Sequence, residues 1–217
     1  SHELRTPLNA ILGFAQILQR EASPDRQRSI EVIRQSGQHL LTLIDDILYI
    51  AKIEAGKLEL ELRDFIFPSF LDNLVAIIRM RCQSKAIAFE YQTLSQLPTL
   101  VRGDETRLRQ LLLNLLSNAV KFTTQGQVTF KVGYVADFLP SKTLESSRSH
   151  HEIRFYIQDT GRGIPQSKFQ DIFLPFNQLD PDRSQEGTGL GLSISNSLAE
   201  QMNSQIEVTS VIGEGSI

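Results

Sequence analysis

Glu54-Ala55-Gly56-Lys57-Leu58-Glu59-Leu60-Glu61-Leu62 is the stretch on which the fold turns. Upstream of it, Ile30, Ile33, Gly37, Leu40, Ile44, Ile47 and Ala51 form a heptad seam, widened by Leu41 and Leu48. That rhythm stops at Gly56, a residue type that closes helices. Leu58, Leu60 and Leu62 then alternate with glutamates, which is the period of a half-buried strand. A domain boundary therefore falls near Gly56, dividing the chain into residues 1–56 and 57–217.

In the first unit Leu4, Leu8, Ile11, Ala15 and Leu18 make another apolar helical stripe, and Ser23-Pro24-Asp25 is a turn that can start the next helix. Two amphipathic helices joined by a short loop cannot bury both stripes alone. Pairing with a second copy into a four-helix bundle is preferred to packing against the rest of the same chain, because the stripe outlasts one partner helix. His2 falls about 160° from the first stripe, facing solvent beside Glu3. Such a histidine is open to use as a nucleophile, as a metal ligand or as nothing at all. Pro7 removes a backbone donor one turn on and predicts a bend there.

The second unit mixes its periods. Helices are predicted over residues 68–82, 104–122 and 190–202, and strands over 58–62, 87–91, 99–102, 127–135, 153–158 and 205–210. Without regular βαβ alternation, this order predicts an α+β sandwich. Residues 137–152 read as a solvent loop, and their His150-His151 pair lacks neighbouring ligands for a metal. A formal net charge of -3 argues against a broad nucleic-acid footprint. The single cysteine, Cys82, cannot form an internal disulfide and fits a reducing compartment. No apolar run approaches the ~20 residues of a membrane span.

Three stretches of this unit carry chemistry. On the helix 104–122, Leu108, Leu111, Leu112, Leu115, Leu116 and Ala119 form the core face, with Asn114, Asn118 and Lys121 about 110° to one side. A carboxamide oxygen is a hard neutral ligand suited to Mg²⁺, and lysine is a point charge for phosphates; boundary residues of an ordinary helix would look the same. Asp159-Thr160-Gly161-Arg162-Gly163-Ile164-Pro165 follows a strand, with a carboxylate able to accept from an exocyclic amine such as that of adenine. Gly187-Thr188-Gly189-Leu190-Gly191-Leu192 opens a helix, where free amides receive phosphate. It is neither a dinucleotide fingerprint nor a P-loop.

Together and in this order, these residues resemble the sensor histidine kinases of two-component signalling over essentially the whole chain. Ser1-His2-Glu3-Leu4-Arg5-Thr6-Pro7-Leu8 resembles the family's phosphoacceptor box, and residues 114–122 its asparagine box. Asp159–Ile164 and Gly187–Leu192 resemble its two glycine boxes, and Phe173-Leu174-Pro175-Phe176 its phenylalanine box. The resemblance implies a dimeric hairpin over 1–56 followed by an ATP-binding catalytic domain over 57–217. That domain would have the GHKL (Bergerat) fold, a two-layer α+β sandwich with a mixed sheet. It implies autophosphorylation of His2 from ATP, transfer to an aspartate of a response-regulator receiver domain, and dephosphorylation of that partner. Glu3 would activate His2, and Thr6 would orient water. Asn118 would hold Mg²⁺ with Asn114 beside it, Lys121 would meet phosphate, and Phe122 would pack near the base. Asp159 would read adenine, with Gly161 and Gly163 shaping that wall. Gly187, Thr188, Gly189, Leu190 and Gly191 would form the lid and its amides, with Arg183 as a lid cation. A hinge near Gly56–Lys57 would join nucleophile and nucleotide.

The alternatives are a nucleotide-binding scaffold without transfer, or another ATPase of the same fold. Asn203-Ser204-Gln205 stands where the family commonly shows a glycine pair, which predicts a changed turn. The sequence also ends where the family usually continues into a last strand, and reads as an excerpt. A cytoplasmic setting, with a parent that need not be soluble, and no membrane contact within the fragment complete the expectations.

Overall fold

The computed structural model describes residues 24–54, 59–135, 152–177 and 189–217, together with Leu8, Ile11, Leu12, Ala15 and Leu18. Those five are helical and are together labelled α1. Leu8, Leu12 and Ala15 are buried, whereas Ile11 and Leu18 are exposed. Leu12 thus takes the place expected of Ile11 in the buried row. Positions 8, 12 and 15 also stack on one helix face, and that face meets helix α2 (Pro24–Glu54), where Leu12 lies over Gly37. The α2 seam is divided. Ile33, Leu40 and Ile47 are 49%, 48% and 48% exposed. Leu43, Tyr49 and Ile50, by contrast, join the core of the second unit, with the Arg107 guanidinium 4.8 Å above the Tyr49 ring. The less favoured packing, hairpin against its own chain, is therefore present in the lower half of α2.

The second unit runs β1 (Arg63–Ile66), α3 (Phe67–Ser84), β2 (Ala88–Thr93), β3 (Leu100–Gly103), α4 (Glu105–Phe122), β4 (Gln127–Tyr134), β5 (Ile153–Asp159), α5 (Gly191–Gln201), β6 (Ser210–Val211) and β7 (Gly215–Ser216). Five strands form one sheet in the order β2-β4-β5-β7-β6, parallel between β2 and β4 and antiparallel elsewhere. β1 and β3 make a separate antiparallel ribbon. Alternate residues of β4, Val128, Phe130 and Val132, are fully buried, as are Leu74 and Ile78 of α3, Leu116 of α4 and Leu198 of α5. The predicted mixed-sheet sandwich is thus the observed one.

Two strands differ from expectation. Residues 59–62 are irregular and the strand starts at Arg63, because the Glu61 N–H donates to Asp104 Oδ2 (3.0 Å) and β3 offers partners only from Leu100 to Gly103. The strand expected over 205–210 is reduced to Ser210–Val211. Its ladder with β7 reaches back only to Thr209, which exchanges backbone bonds with Ile217 at 3.0 and 2.8 Å. Beyond the Asp159–Ser216 pair, the edge of β5 away from β4 has no strand beside it among the described residues.

Both α3 and α5 end in the same six-residue closure, a Schellman motif. In α3, Ile87 N–H donates to Cys82 O and Ala86 N–H to Gln83 O, both at 3.1 Å, with Ile87 and Cys82 buried together. In α5, Ser204 N–H donates to Ala199 O (2.8 Å) and Asn203 N–H to Glu200 O (3.0 Å). The position needing left-handed backbone is Asn203 (φ 52) in one and Ala86 (φ 56) in the other. Asparagine tolerates that region, so the turn after Met202 closes without a glycine. Alanine does not tolerate it well. Ala86→Gly is therefore expected to stabilise the fold by about 1 kcal/mol, less the extra unfolded-state entropy of glycine, raising the melting temperature by roughly 2–4 °C. A thermal melt showing no rise would contradict this account of the turn.

Candidate functional site

The C-terminal half of α4, the loop leaving β5 and the first turn of α5 converge on one open cavity of about 2240 Å³. The cavity is that large because it continues along β5, past Ile153, Phe155 and Ile157.

α4 is fixed at both ends. Asp104, buried, caps it by accepting from Arg107 N–H at 3.0 Å. At the other end Thr123 Oγ1 donates to Ala119 O (2.8 Å), and Lys85 Nζ donates to Val120 O and Lys121 O, both at 2.9 Å. A cation thus sits on the last carbonyls, at the negative end of the helix dipole. The turn so held carries Asn118, Lys121 and Phe122, and all three line the cavity with Asn114, one turn earlier. Leu111, Leu112, Leu116 and Ala119 are buried as the leucine stripe predicts, whereas Leu108 and Leu115 of the same stripe are half-buried and line the cavity. Lys121 Nζ and Arg162 Cζ both lie over the Phe122 ring, at 4.7 and 4.8 Å.

Asp159 ends β5 and faces the same cavity. Burial pushes its carboxyl above the ordinary aspartate range, and backbone N–H groups of Gly161 and Ser216 pull it partly back. The Gly161 bond measures 2.8 Å. The loop is pressed against α4, since a Cβ on Gly161 would lie 2.5 Å from Phe122 O and 2.7 Å from Asp159 Oδ1. Gly163 also lines the cavity, and its backbone is left-handed at φ 71.

The N-cap residue of α5, Leu190, makes no side-chain capping bond to the first turn of the helix. Gly189 and Gly191 line the cavity. Gly189 backs on the Phe176–Asn177 backbone, which brings the two stems of the intervening segment together. Leu190 differs from its neighbours, being wholly buried in the core, and it does not line the cavity.

The structure therefore brings together Asn114, Asn118, Lys121, Phe122, Asp159, Gly161, Gly163, Gly189 and Gly191. His2, Glu3, Thr6, Arg183, Gly187 and Thr188 lie outside the described residues, as do the bend at Pro7, the Gly56–Lys57 hinge and the His150-His151 pair. Sequence reasoning missed three contributors: Lys85, Arg162 and Ser195, whose hydroxyl bonds the Asn114 carboxamide at 2.7 Å. Ser195 alone left a trace, as a small polar residue beside the apolar row Leu190, Ile194, Leu198 of α5.

A mixed sheet under α4 and α5, with carboxamides, a half-buried carboxyl and a helix N-terminus around one cavity, defines a class of nucleotide-binding ATPase. Residues 103–217 match the family model described as histidine kinase-, DNA gyrase B-, and HSP90-like ATPase. Residues 1–56 match the model for the His Kinase A (phospho-acceptor) domain. With both in one chain, the protein belongs to the sensor histidine kinases of two-component signalling. It is 41% identical over 222 residues to the autoinducer 2 sensor kinase/phosphatase LuxQ of Vibrio vulnificus, covering 100% of this chain and 25% of that one. Against the aerobic respiration control sensor protein ArcB of Escherichia coli it is 39% identical over 220 residues, covering 100% and 27%. The crystal structure of full-length ShkA in complex with AMPPNP is similar at a TM-score of 0.79 and 33% identity, over 99% of this chain and 42% of that one. The chain thus spans about a quarter of the length of these curated relatives. Among the described residues no helix is long and apolar enough to cross a membrane.

Proposed function

We propose that the chain is the catalytic part of an ATP-dependent protein histidine kinase, its hairpin ending near Gly56 and its ATP-binding domain following. The observation that carries this reading is the cavity shared by Asn114, Asn118, Asp159 and the first turn of α5. The AMPPNP complex of the similar ShkA structure supports ATP as the ligand. Asp159 accepts from the adenine amine. Phe122, between the charges of Lys121 and Arg162, packs near the base, and the α5 amides and Lys121 meet phosphate. Among the described residues there is no cluster of three acidic, His or Cys ligands, so a metal here must lean on amide oxygen, phosphate and water. That donor set fits Mg²⁺, with Asn118 as ligand and Asn114 beside it. When bound, Mg²⁺ would neutralise charge on the phosphates.

The neutral imidazole of His2 attacks the γ-phosphorus, a P–N bond forms as the β–γ bridging P–O bond breaks, and ADP leaves. Glu3 holds the proton on the other ring nitrogen. The phosphoryl group then passes to an aspartate of a receiver domain, and Thr6 positions water for the later hydrolysis of that aspartyl phosphate, which releases inorganic phosphate. Arg183, Gly187 and Thr188 belong to the lid over the nucleotide. The half-exposed row Ile33, Leu40 and Ile47, with Ile11 and Leu18, supports a second copy completing a four-helix bundle. Dependence on ATP and on a receiver partner fits work in the cytoplasm.

Labelling with γ-labelled ATP and Mg²⁺ tests this. An acid-labile phosphoramidate is expected on the wild type and none on His2→Gln. Label persisting in the variant refutes the assignment, and nucleotide binding without any label in the wild type would mean a scaffold instead.

A further inference from the structure

The Asn114 carboxamide is held from behind. Its Nδ2 donates to Ser195 Oγ at 2.7 Å, and Ser195 is 1% exposed on α5, one turn beyond Gly191. Asn114 Oδ1 turns toward Gly191, so close to its Cα that a Cβ there would overlap the oxygen. A primary amide has two ends of equal size and opposite character, a donor nitrogen and an acceptor oxygen. Half a turn about the last side-chain bond exchanges them at no cost in volume. Only the oxygen can take a metal ion or accept from a metal-bound water.

The contact with Gly191 lifts that degeneracy, since an NH₂ turned that way would drive its hydrogens into the Gly191 Cα–H. The buried Ser195 hydroxyl, which can donate or accept, holds the end left facing it. It accepts from the nitrogen and leaves the oxygen at the head of α5. The hydroxyl of Ser193, two residues earlier, turns back on its own helix instead, donating to Leu190 O at 2.8 Å. The glycine at 191 has a matching reason, since any side chain would fill the space the carboxamide occupies.

We propose that Ser195 is a positioning residue that locks the Asn114 carboxamide with its oxygen toward the metal–phosphate end of the cavity. This rests on the reading of Asn114 and Asn118 as the Mg²⁺ end of a nucleotide site. Ser195 acts through Asn114, and the adenine end, at Asp159, does not depend on it.

The test is ADP affinity by titration calorimetry on the full chain, with Mg²⁺ and again with EDTA. Ser195→Ala is expected to weaken binding about tenfold in Mg²⁺, the usual scale for a group that orients a metal-site residue, and to leave it within twofold in EDTA. In an Asn114→Ala background the same substitution should cost nothing more. Ser195→Cys, close in volume but a weak acceptor, should behave like Ser195→Ala and guards against a packing effect of the smaller side chain. Equal losses with and without Mg²⁺, or losses that add to that of Asn114→Ala, overturn the proposal. Wild-type protein that binds ADP equally well in Mg²⁺ and EDTA overturns the metal assignment beneath it. Wild-type protein that binds no ADP overturns the functional reading itself.

Discussion

Asp159→Asn is expected to weaken ATP binding about 100-fold while leaving the unliganded protein at least as stable at pH 7. In the wild type the Gly161 N–H and the Ser216 backbone N–H both point at the carboxyl. An asparagine keeps its oxygen on those amides and turns its NH₂ toward the adenine amine, donor against donor. Losing a charged hydrogen bond at a half-buried site accounts for an effect of that order. The stability half follows from the sign of the shift. Burial raises the folded pKa, so the native state binds this proton more tightly than the unfolded chain does. The stability it contributes is complete below the unfolded value of about 3.9 and is lost as pH rises through the folded pKa. At pH 7 the ionised carboxylate is therefore a burden that asparagine lacks, and the gap between variant and wild type should close as the pH is lowered. Calorimetry with ATP and urea unfolding over a pH series check both halves. An affinity within threefold of wild type would refute the adenine role, and a variant much less stable at pH 7 would refute the electrostatic one.

Gly163→Ala should destabilise the fold by about 3 kcal/mol. The backbone at Gly163 is left-handed (φ 71), which alone costs a residue with a Cβ about 1–2 kcal/mol. The added methyl would also run into the carbonyl of Val211, with Val211 C at 2.7 Å and Ile212 Cα at 3.0 Å. Neither wall can step back, because Gly213 N–H donates to Arg162 O and Ile164 N–H to Ser210 Oγ, each at 2.8 Å. Gly213 supplies the control. It too is left-handed (φ 83), but nothing lies within 4 Å of its Cβ position. Gly213→Ala should show the backbone cost alone, about 1 kcal/mol. Urea unfolding of the two variants separates the effects, and equal losses would mean that the close approach at Gly163 carries no energy.

Periodicity alone located the helices well, because a helix that buries one face must repeat its apolar residues. The stripe Leu111, Leu112, Leu116, Ala119 is buried where it was expected. The motif residues Asn114, Asn118 and Asp159 were legible for a related reason, since their chemistry is carried by residue type. Periodicity failed at 59–62 and at 205–208, where alternation was present but a ladder partner was not, and a strand exists only through its neighbour. It also missed Ala86, whose left-handed backbone is imposed by the closure of α3 and not by any preference of alanine.

What the sequence by itself determined is the order of elements and the residue types able to bind a nucleotide. Tertiary structure decided which of those residues meet and which way they face. It seated Arg162 over Phe122, set Lys85 on the end of α4 and turned the Asn114 carboxamide against Ser195, 81 positions away. Contacts of that span depend on how α4, α5 and the β5 loop pack together, and local pattern carries no record of packing.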